Sequence, residues 1–297
     1  MAAPEDPLNH HSHPTLRDPI LLASFKGWND AGEAASFATS HLARVWAAEP
    51  IASVDPEEFY DFQANRPTVE LVDGVTRRIS WPSNEFLAAR LDGAPHDVIL
   101  MMGTEPSTRW RTFSGLVVEM VRRYEVKLVV TLGALLTDIP HSRLTHITAT
   151  AVDPDLIDRL KLDRSRYEGP TGIVGVLHDA LARAGVTSAS LWAAVPHYLA
   201  VTPNPKAALA LIGKVTELIG APADLGTLEA AAVSYDERVA EMVASDDDVQ
   251  AYVRLLEERA DGRDQAEEMD PSKLPSGDAI AAEVERFLRD RHESGSD

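Results

Sequence analysis

Between Pro19 and Gly220 the chain alternates short apolar runs with longer stretches of helical periodicity, and few architectures tolerate that rhythm. "PILLASF", "DVILMMG" and "KLVVTLGAL" are strand-like runs with few polar positions, and "THITATAV" and "SASLWAAVPHY" read as further strands. Runs this apolar belong to strands covered on both faces, whereas an exposed sheet would show strict alternation. Helical stretches lie between them, at Asp30 to Ala48, Thr108 to Tyr124, Gly172 to Ala184 and Pro205 to Gly220, with "DPDLIDRL" a shorter one. The pattern predicts an α/β fold, an open and largely parallel sheet with helices on both faces. Asp73-Gly74, between "VELV" and "VTRRISW", is the signal of a tight hairpin, which is expected to make the sheet mixed.

The flanks differ in kind. Residues 1–18 are rich in Pro, His and Asp without periodicity, which predicts a disordered arm, and "HHSH" within it reads as a solvated tract rather than a metal site. From Asp224 onward strand-like runs cease and three helices are expected, Asp224 to Ala244, Asp247 to Ala260 and Gly277 to Arg291. This end holds 21 acidic and 8 basic residues, so −13 of the formal −19 lies there. The organisation expected is an arm (1–18), an α/β core (19–223) and an acidic helical region (224–297).

These totals exclude several classes. Binding nucleic acid through phosphates needs a basic stripe, and none is visible. No stretch sustains the roughly 18 apolar residues of a membrane span, and the first residues lack the apolar segment of a signal peptide, so a cytoplasmic protein is expected. Without Cys there is no disulfide framework, thiolate zinc site or Cys nucleophile. Phosphate-cradling, dinucleotide, zinc-protease and serine-elbow motifs are missing as well, so no cofactor and no metal are called for.

In an open α/β sheet, ligands sit beyond the carboxyl ends of the strands. The loops expected there are "KGWNDAG", "GTEPSTRW", "GALLTDIPHSR" and "VPHYLAVTPNP". They offer Lys26, Gly27, Trp28, Asn29, Asp30, Gly103, Glu105, Arg109, Gly133, His141, His197 and Tyr198 as candidates. Lys26 or Arg109 would hold an anion, and Glu105 or His197 would move a proton. Each also has a structural use: Asn29 or Asp30 to cap the next helix, Thr104 or Ser107 likewise, Gly27 to turn the chain, Trp28 to pack. "GPTGIVG" reads as the opening of a helix whose small residues permit close packing.

"GWNDAGEAA", "GTEPSTRW", "TLGALLTDIPHSR", "YEGPTGIVGVLHDA" and "AAVPHYLAVTPNPKAALALI", in this order, resemble the PAC2 family of proteasome assembly chaperone-like proteins. The resemblance spans about residues 19–260, and the tail is similar to that of actinobacterial members. It implies a three-layer α/β/α sandwich with a mixed sheet, similar to purine nucleoside phosphorylases and hydrolases, with a C-terminal helical extension. A non-enzymatic scaffold for proteasome assembly is the implied role, with two implied partners. One is the chain itself, in a homo-oligomer for which a trimer is one option, and the other is the proteasome α-subunit. The alternative is an enzyme with a phosphorylase-like cleft for a small anionic or nucleoside-like ligand. Some relatives carry the label of ATP-dependent carboxylate–amine ligase, which no residue here supports. Relatives that dock by inserting a tail end in a hydrophobic residue, a Tyr and one more residue. This sequence reads "RHESGSD" at that position, so any docking is expected through a folded face.

Overall fold

The computed structural model describes residues 7–151, 153–160, 163–164, 167–199 and 203–268. The chain forms, in order, β1 (Leu8–His10), β2 (Ile20–Lys26), α1 (Ala34–Val45), β3 (Glu49–Val54), β4 (Thr68–Val72), β5 (Thr76–Ser80), β6 (Asn84–Ala89) and β7 (Val98–Thr104). There follow α2 (Trp110–Arg123), β8 (Leu128–Thr137), β9 (Ile147–Ala151), α3 (Pro154–Leu160), β10 (Asp163–Arg164), α4 (Ile173–Arg183) and β11 (Ser188–Pro196). The helices α5 (Pro205–Ile219), α6 (Gly226–Ala244) and α7 (Asp247–Glu268) complete it.

Nine strands form one sheet in the order β1-β3-β6-β7-β2-β8-β11-β9-β10. The four central strands, β7, β2, β8 and β11, run parallel and are the most apolar, as strands buried on both faces must be. Leu21, Leu22, Ala23, Ile99, Leu100, Val129, Val130 and Leu132 have no exposed surface. The two faces carry separate cores. Leu22, Leu100 and Val130 pack with α1 and α5 on one side, and Leu21, Ile99 and Val129 with α2 and α4 on the other. Layers of helix, sheet and helix result, the α/β sandwich expected.

The mixed character of the sheet has a different origin from the one expected. β6 runs antiparallel to β7 and to β3, and β9 antiparallel to β11, while the Asp73-Gly74 hairpin stands apart as a two-stranded sheet, β4-β5. "NEFLAA", which the sequence reading passed over, is the strand that joins the antiparallel flank to the parallel centre. The N-terminal arm also departs from expectation. Leu8 is buried, and Leu8–His10 pairs with β3 (Leu8 opposite Val54) at the sheet edge. Arg17 then ties the arm down through Asp97, whose carboxylate accepts from its backbone N–H at 2.7 Å and its guanidinium at 3.2 Å. His11 donates to or accepts from Ser53 at 3.0 Å, and the rings of His10 and His13 lie 5.5 Å apart.

α6 matches its expected span closely, and α7 runs eight residues past its expected end. Asp246 caps α7 by accepting from the N–H groups of Asp248 and Val249, so the acidic "DDD" serves a helix start. Tyr235, Val239 and Val243 of α6 and Val253 of α7 form a third, small core with Leu199. The helix expected at Gly277 to Arg291 lies outside the described residues. Among the described residues no helix is long and apolar enough to cross a membrane.

Candidate functional site

The turn after β2 is built from short backbone bonds. Asp30 N–H donates to the Gly27 carbonyl at 3.1 Å, and Ala134 N–H of β8 donates to the Asn29 carbonyl at 2.9 Å, which fastens the turn to the neighbouring strand. Gly27 has φ +131°, open to glycine and strained for other residues, and a Cβ there would also press on the Glu105 side chain at 3.3 Å. Asp30 caps α1 from five residues away. Its Oδ1 accepts from Ala35 N–H at 2.8 Å and Ser36 N–H at 3.3 Å, because a 3-10 turn at Ala31–Glu33 intervenes. Asp30 is buried, its Oδ2 has no partner in the described structure, and burial pushes its carboxyl above the usual carboxylate range.

Glu105 is the hinge of this group. Its N–H donates to the Lys26 carbonyl at 2.8 Å, and its Oε1 accepts from Asn29 Nδ2 at 2.9 Å and from Ile173 N–H at 2.8 Å. The last bond places a carboxylate on the first turn of α4, where free N–H groups and the helix dipole favour negative charge. Gly172 explains why "GPTGIVG" opens that helix with so small a residue: a Cβ would lie 2.4 Å from Asn29 Nδ2 and 2.6 Å from Glu105 Oε1. Gly103 is equally constrained, with Asn84 Oδ1 and the Ser83 carbonyl each 2.2 Å from where a Cβ would sit. Beneath it Asn84 Nδ2 donates to Tyr60 Oη and to the Thr104 carbonyl, which Tyr60 Oη also donates to at 2.6 Å. Burial pushes the Tyr60 phenol up.

Four residues behave otherwise than expected. Trp28 is 65% exposed, so it is not a packing residue of this chain. Neither Thr104 nor Ser107 caps α2, which instead starts after Arg109, itself left-handed at φ +56° and without a side-chain cap. The Arg109 guanidinium pairs with Glu58 rather than with the Glu105 group.

His141, His197 and Tyr198 form a second group, at the ends of β8 and β11. Tyr198 Oη lies 2.8 Å from both His141 N and His141 Nδ1, and burial pushes the phenol up to about 12. Burial first, and the Lys206 charge second, lower the His141 pKa; Lys206 Nζ donates to the His141 carbonyl at 2.7 Å and pairs with Asp236 at 3.1 Å. His197 pairs with Asp138 at 3.0 Å. The rings of His197 and Tyr198 meet Tyr252 of α7 edge-on, at 5.5 and 6.0 Å between centroids. Arg143 forks onto Asp261 of α7 at 2.7 and 3.0 Å, and Ser142 donates to Glu257. These loops are therefore the seat of α7. A cavity of about 10 Å³ among His141, Asn204, Lys206 and Tyr235 has room for about one water. Gly133 lies flat beneath the Trp192 ring, 2.6 Å from a notional Cβ.

Asn29 and Glu105 thus join in one hydrogen-bonded group and His141 and Tyr198 in another with His197 packed against it, while Arg109 and Trp28 belong to neither. Sequence reasoning missed Asn84 and Tyr60, whose contacts join positions 24 residues apart, and Tyr252. It also missed Asn204, which accepts from Ala207 N–H to cap α5; an Asn directly before Pro205 was the readable signal.

Against known protein families, the PAC2 family model matches residues 24–243. The chain belongs to the PAC2 family. Among solved structures, a PAC2 family protein from Streptomyces avermitilis is 46% identical, covering 80% of this chain and 100% of its own, with a TM-score of 0.74. A proteasome-assembly chaperone homologue from Mycobacterium tuberculosis is 42% identical over 79% of this chain and 99% of its own, with a TM-score of 0.73. An archaeal proteasome activator from Pyrococcus furiosus shares the fold at 19% identity, a TM-score of 0.64, and coverage of 79% and 97%. A comparison with curated proteins finds no match. In this PAC2 protein the described residues of the five motifs fall on the strands, loops and helices given above. Three of them meet at the Asn29, Glu105 and Ile173 junction.

Proposed function

We propose that this chain is a cytoplasmic, non-enzymatic assembly chaperone-like protein that contacts proteasome α-subunits through a folded face. The observation that carries the reading is its 42% identity, along nearly the whole of the other chain, to a proteasome-assembly chaperone homologue. Two features support it. Glu105, His141, His197 and Tyr198 engage backbone groups, each other or α7, which suits structure more than turnover. The outer face of α6 leaves Glu229, Glu237 and Glu241 exposed around an exposed Val233, a surface fit for a basic partner.

The experiment is co-expression with mycobacterial proteasome α-subunits, followed by native mass spectrometry and a half-proteasome assembly time course. A defined complex and an altered assembly rate are expected, both weakened by Glu237→Lys with Glu241→Lys. Neither complex nor rate change at low salt overturns the reading. The rival reading, a small-ligand enzyme, has one feature in its favour: the buried Asp30 carboxyl with an unpartnered oxygen. Ligand binding abolished by Asp30→Asn, in a fully folded variant, would favour that reading instead.

A further inference from the structure

The two outer edges of the β4-β5 hairpin have no ladder in the described structure, and they differ in charge. β5 carries Arg77 and Arg78 side by side, both exposed, and among the described residues neither forms an ion pair. β4 carries Glu70 and leads into Asp73. Residues 66–81 hold three basic and two acidic residues in a chain of formal charge −19. Most of this molecule therefore repels an acidic segment, and the edge of β5 draws one. The register adds an apolar face beside those charges. Arg77, Ile79 and Trp81 share one side of β5, with Val69 opposite Ile79, and Ile79 is 57% exposed and Trp81 48%. Phe62, itself packed on the core, meets Trp81 edge-on with centroids 4.8 Å apart, so the base of the hairpin is held in place.

We propose that the outer edge of β5 takes an extended acidic segment of a partner protein as an added strand, which turns the hairpin into a three-stranded sheet. In such an addition main-chain hydrogen bonds give affinity, and alternate side chains give specificity. An unpaired edge supplies the first, and two strands alone are marginal in water, so a third strand with an apolar face stabilises the hairpin as well. Antiparallel pairing is the more stable direction. In that direction the segment reads apolar beside Trp81, unrestricted opposite Ser80, apolar opposite Ile79, then acidic opposite Arg78 and acidic opposite Arg77. Its apolar side chains widen the face of Val69, Ile79 and Trp81, and its two carboxylates meet one guanidinium on each side of the sheet. Glu70 and Asp73 make the edge of β4 the poorer seat for the same segment. This surface is built from other elements than the α6 face and does not rest on the proteasome reading.

The test is fluorescence anisotropy of a labelled peptide carrying Ile, Thr, Val, Glu and Glu in that order, titrated with the full chain at low salt. Saturable binding is expected. Arg77→Glu with Arg78→Glu should weaken it by about tenfold or more, and Ile79→Thr by about threefold, with near-ultraviolet circular dichroism matching the parent in both variants. A peptide with Lys in place of both Glu residues should not bind. Hydrogen exchange within Thr76–Ser80 should slow when the acidic peptide is bound, which a purely electrostatic contact does not produce. Absence of binding, equal binding to the Arg77→Glu and Arg78→Glu variant, equal binding of the Lys peptide, or unchanged exchange in β5 each overturns the proposal. So does a wild-type oligomer that this double variant dissociates in sedimentation velocity, since a second copy then holds the edge.

Discussion

The loops at the carboxyl edge of the sheet and the β4-β5 hairpin stand in contrast. The loops hold the residue types of an active site, yet nearly all their polar groups are engaged in holding elements together: Asp30 on α1, Glu105 on α4, His141 and Tyr198 beneath α7. The hairpin holds no chemically notable residue, yet Val69, Leu71, Val75, Ile79 and Trp81 of its strands, tip and base are all exposed. Residue type and exposed apolar area therefore single out different parts of the molecule.

The contrast can be broken or sharpened by measurement. The largest effect concerns a buried polar network beneath the loops, where His178 Nε2 and Nδ1 lie 2.9 Å from Thr131 and Ser188, and Thr131 donates to Ser190. Burial lowers the His178 pKa to about 4, so the folded protein keeps the imidazole neutral while the unfolded chain protonates it near 6.5. Between these values the unfolded state binds more protons. His178 should therefore lower stability progressively as pH falls from 6.5 to 4, by about 3 kcal/mol at the end of that range. Urea unfolding at pH 7 and pH 4 checks this, and His178→Asn should lose that share of the slope.

Next in size is Glu105→Ala, which strands the Ile173 N–H and Asn29 and should cost about 2 kcal/mol. Glu105→Gln keeps an acceptor oxygen and should cost less than half as much, by the same unfolding assay. An equal loss from both variants would mean that the charge itself is required, and would return the loop to candidacy as a binding site. Smallest is Leu71→Thr with Ile79→Thr. It should change stability by no more than about 0.5 kcal/mol, because neither side chain is buried in the chain. A larger loss would mean that the hairpin belongs to the core, erasing the contrast.

Much of the fold was legible because its signals are local. Uninterrupted apolar runs specify doubly covered strands, and Asp73-Gly74 specifies a tight hairpin wherever that hairpin lies. "NEFLAA" was illegible as a strand because its polar positions, Asn84 and Glu85, make sense only beside β3 and β7. The arm was misread for a related reason: three residues with one buried leucine carry no periodicity, and only the open edge of β3 organises them. Of the candidate residues expected on loops, Lys26, Gly103 and Gly133 lie within strands, and the separation of the Glu105 contacts from the His141 contacts was not visible. Glu105 meets Ile173 across 68 positions, and Arg143 meets Asp261 across 118.

By itself the sequence determined the α/β class, the helices and the acidic C-terminal end, since these follow from periodicity and charge along short stretches. Only the tertiary structure decided which carboxylates lie buried against backbone N–H groups, which aromatic rings seat α7, and which strands join the main sheet. Those outcomes depend on elements far apart in the chain competing for the same partners, and no local pattern records the winner.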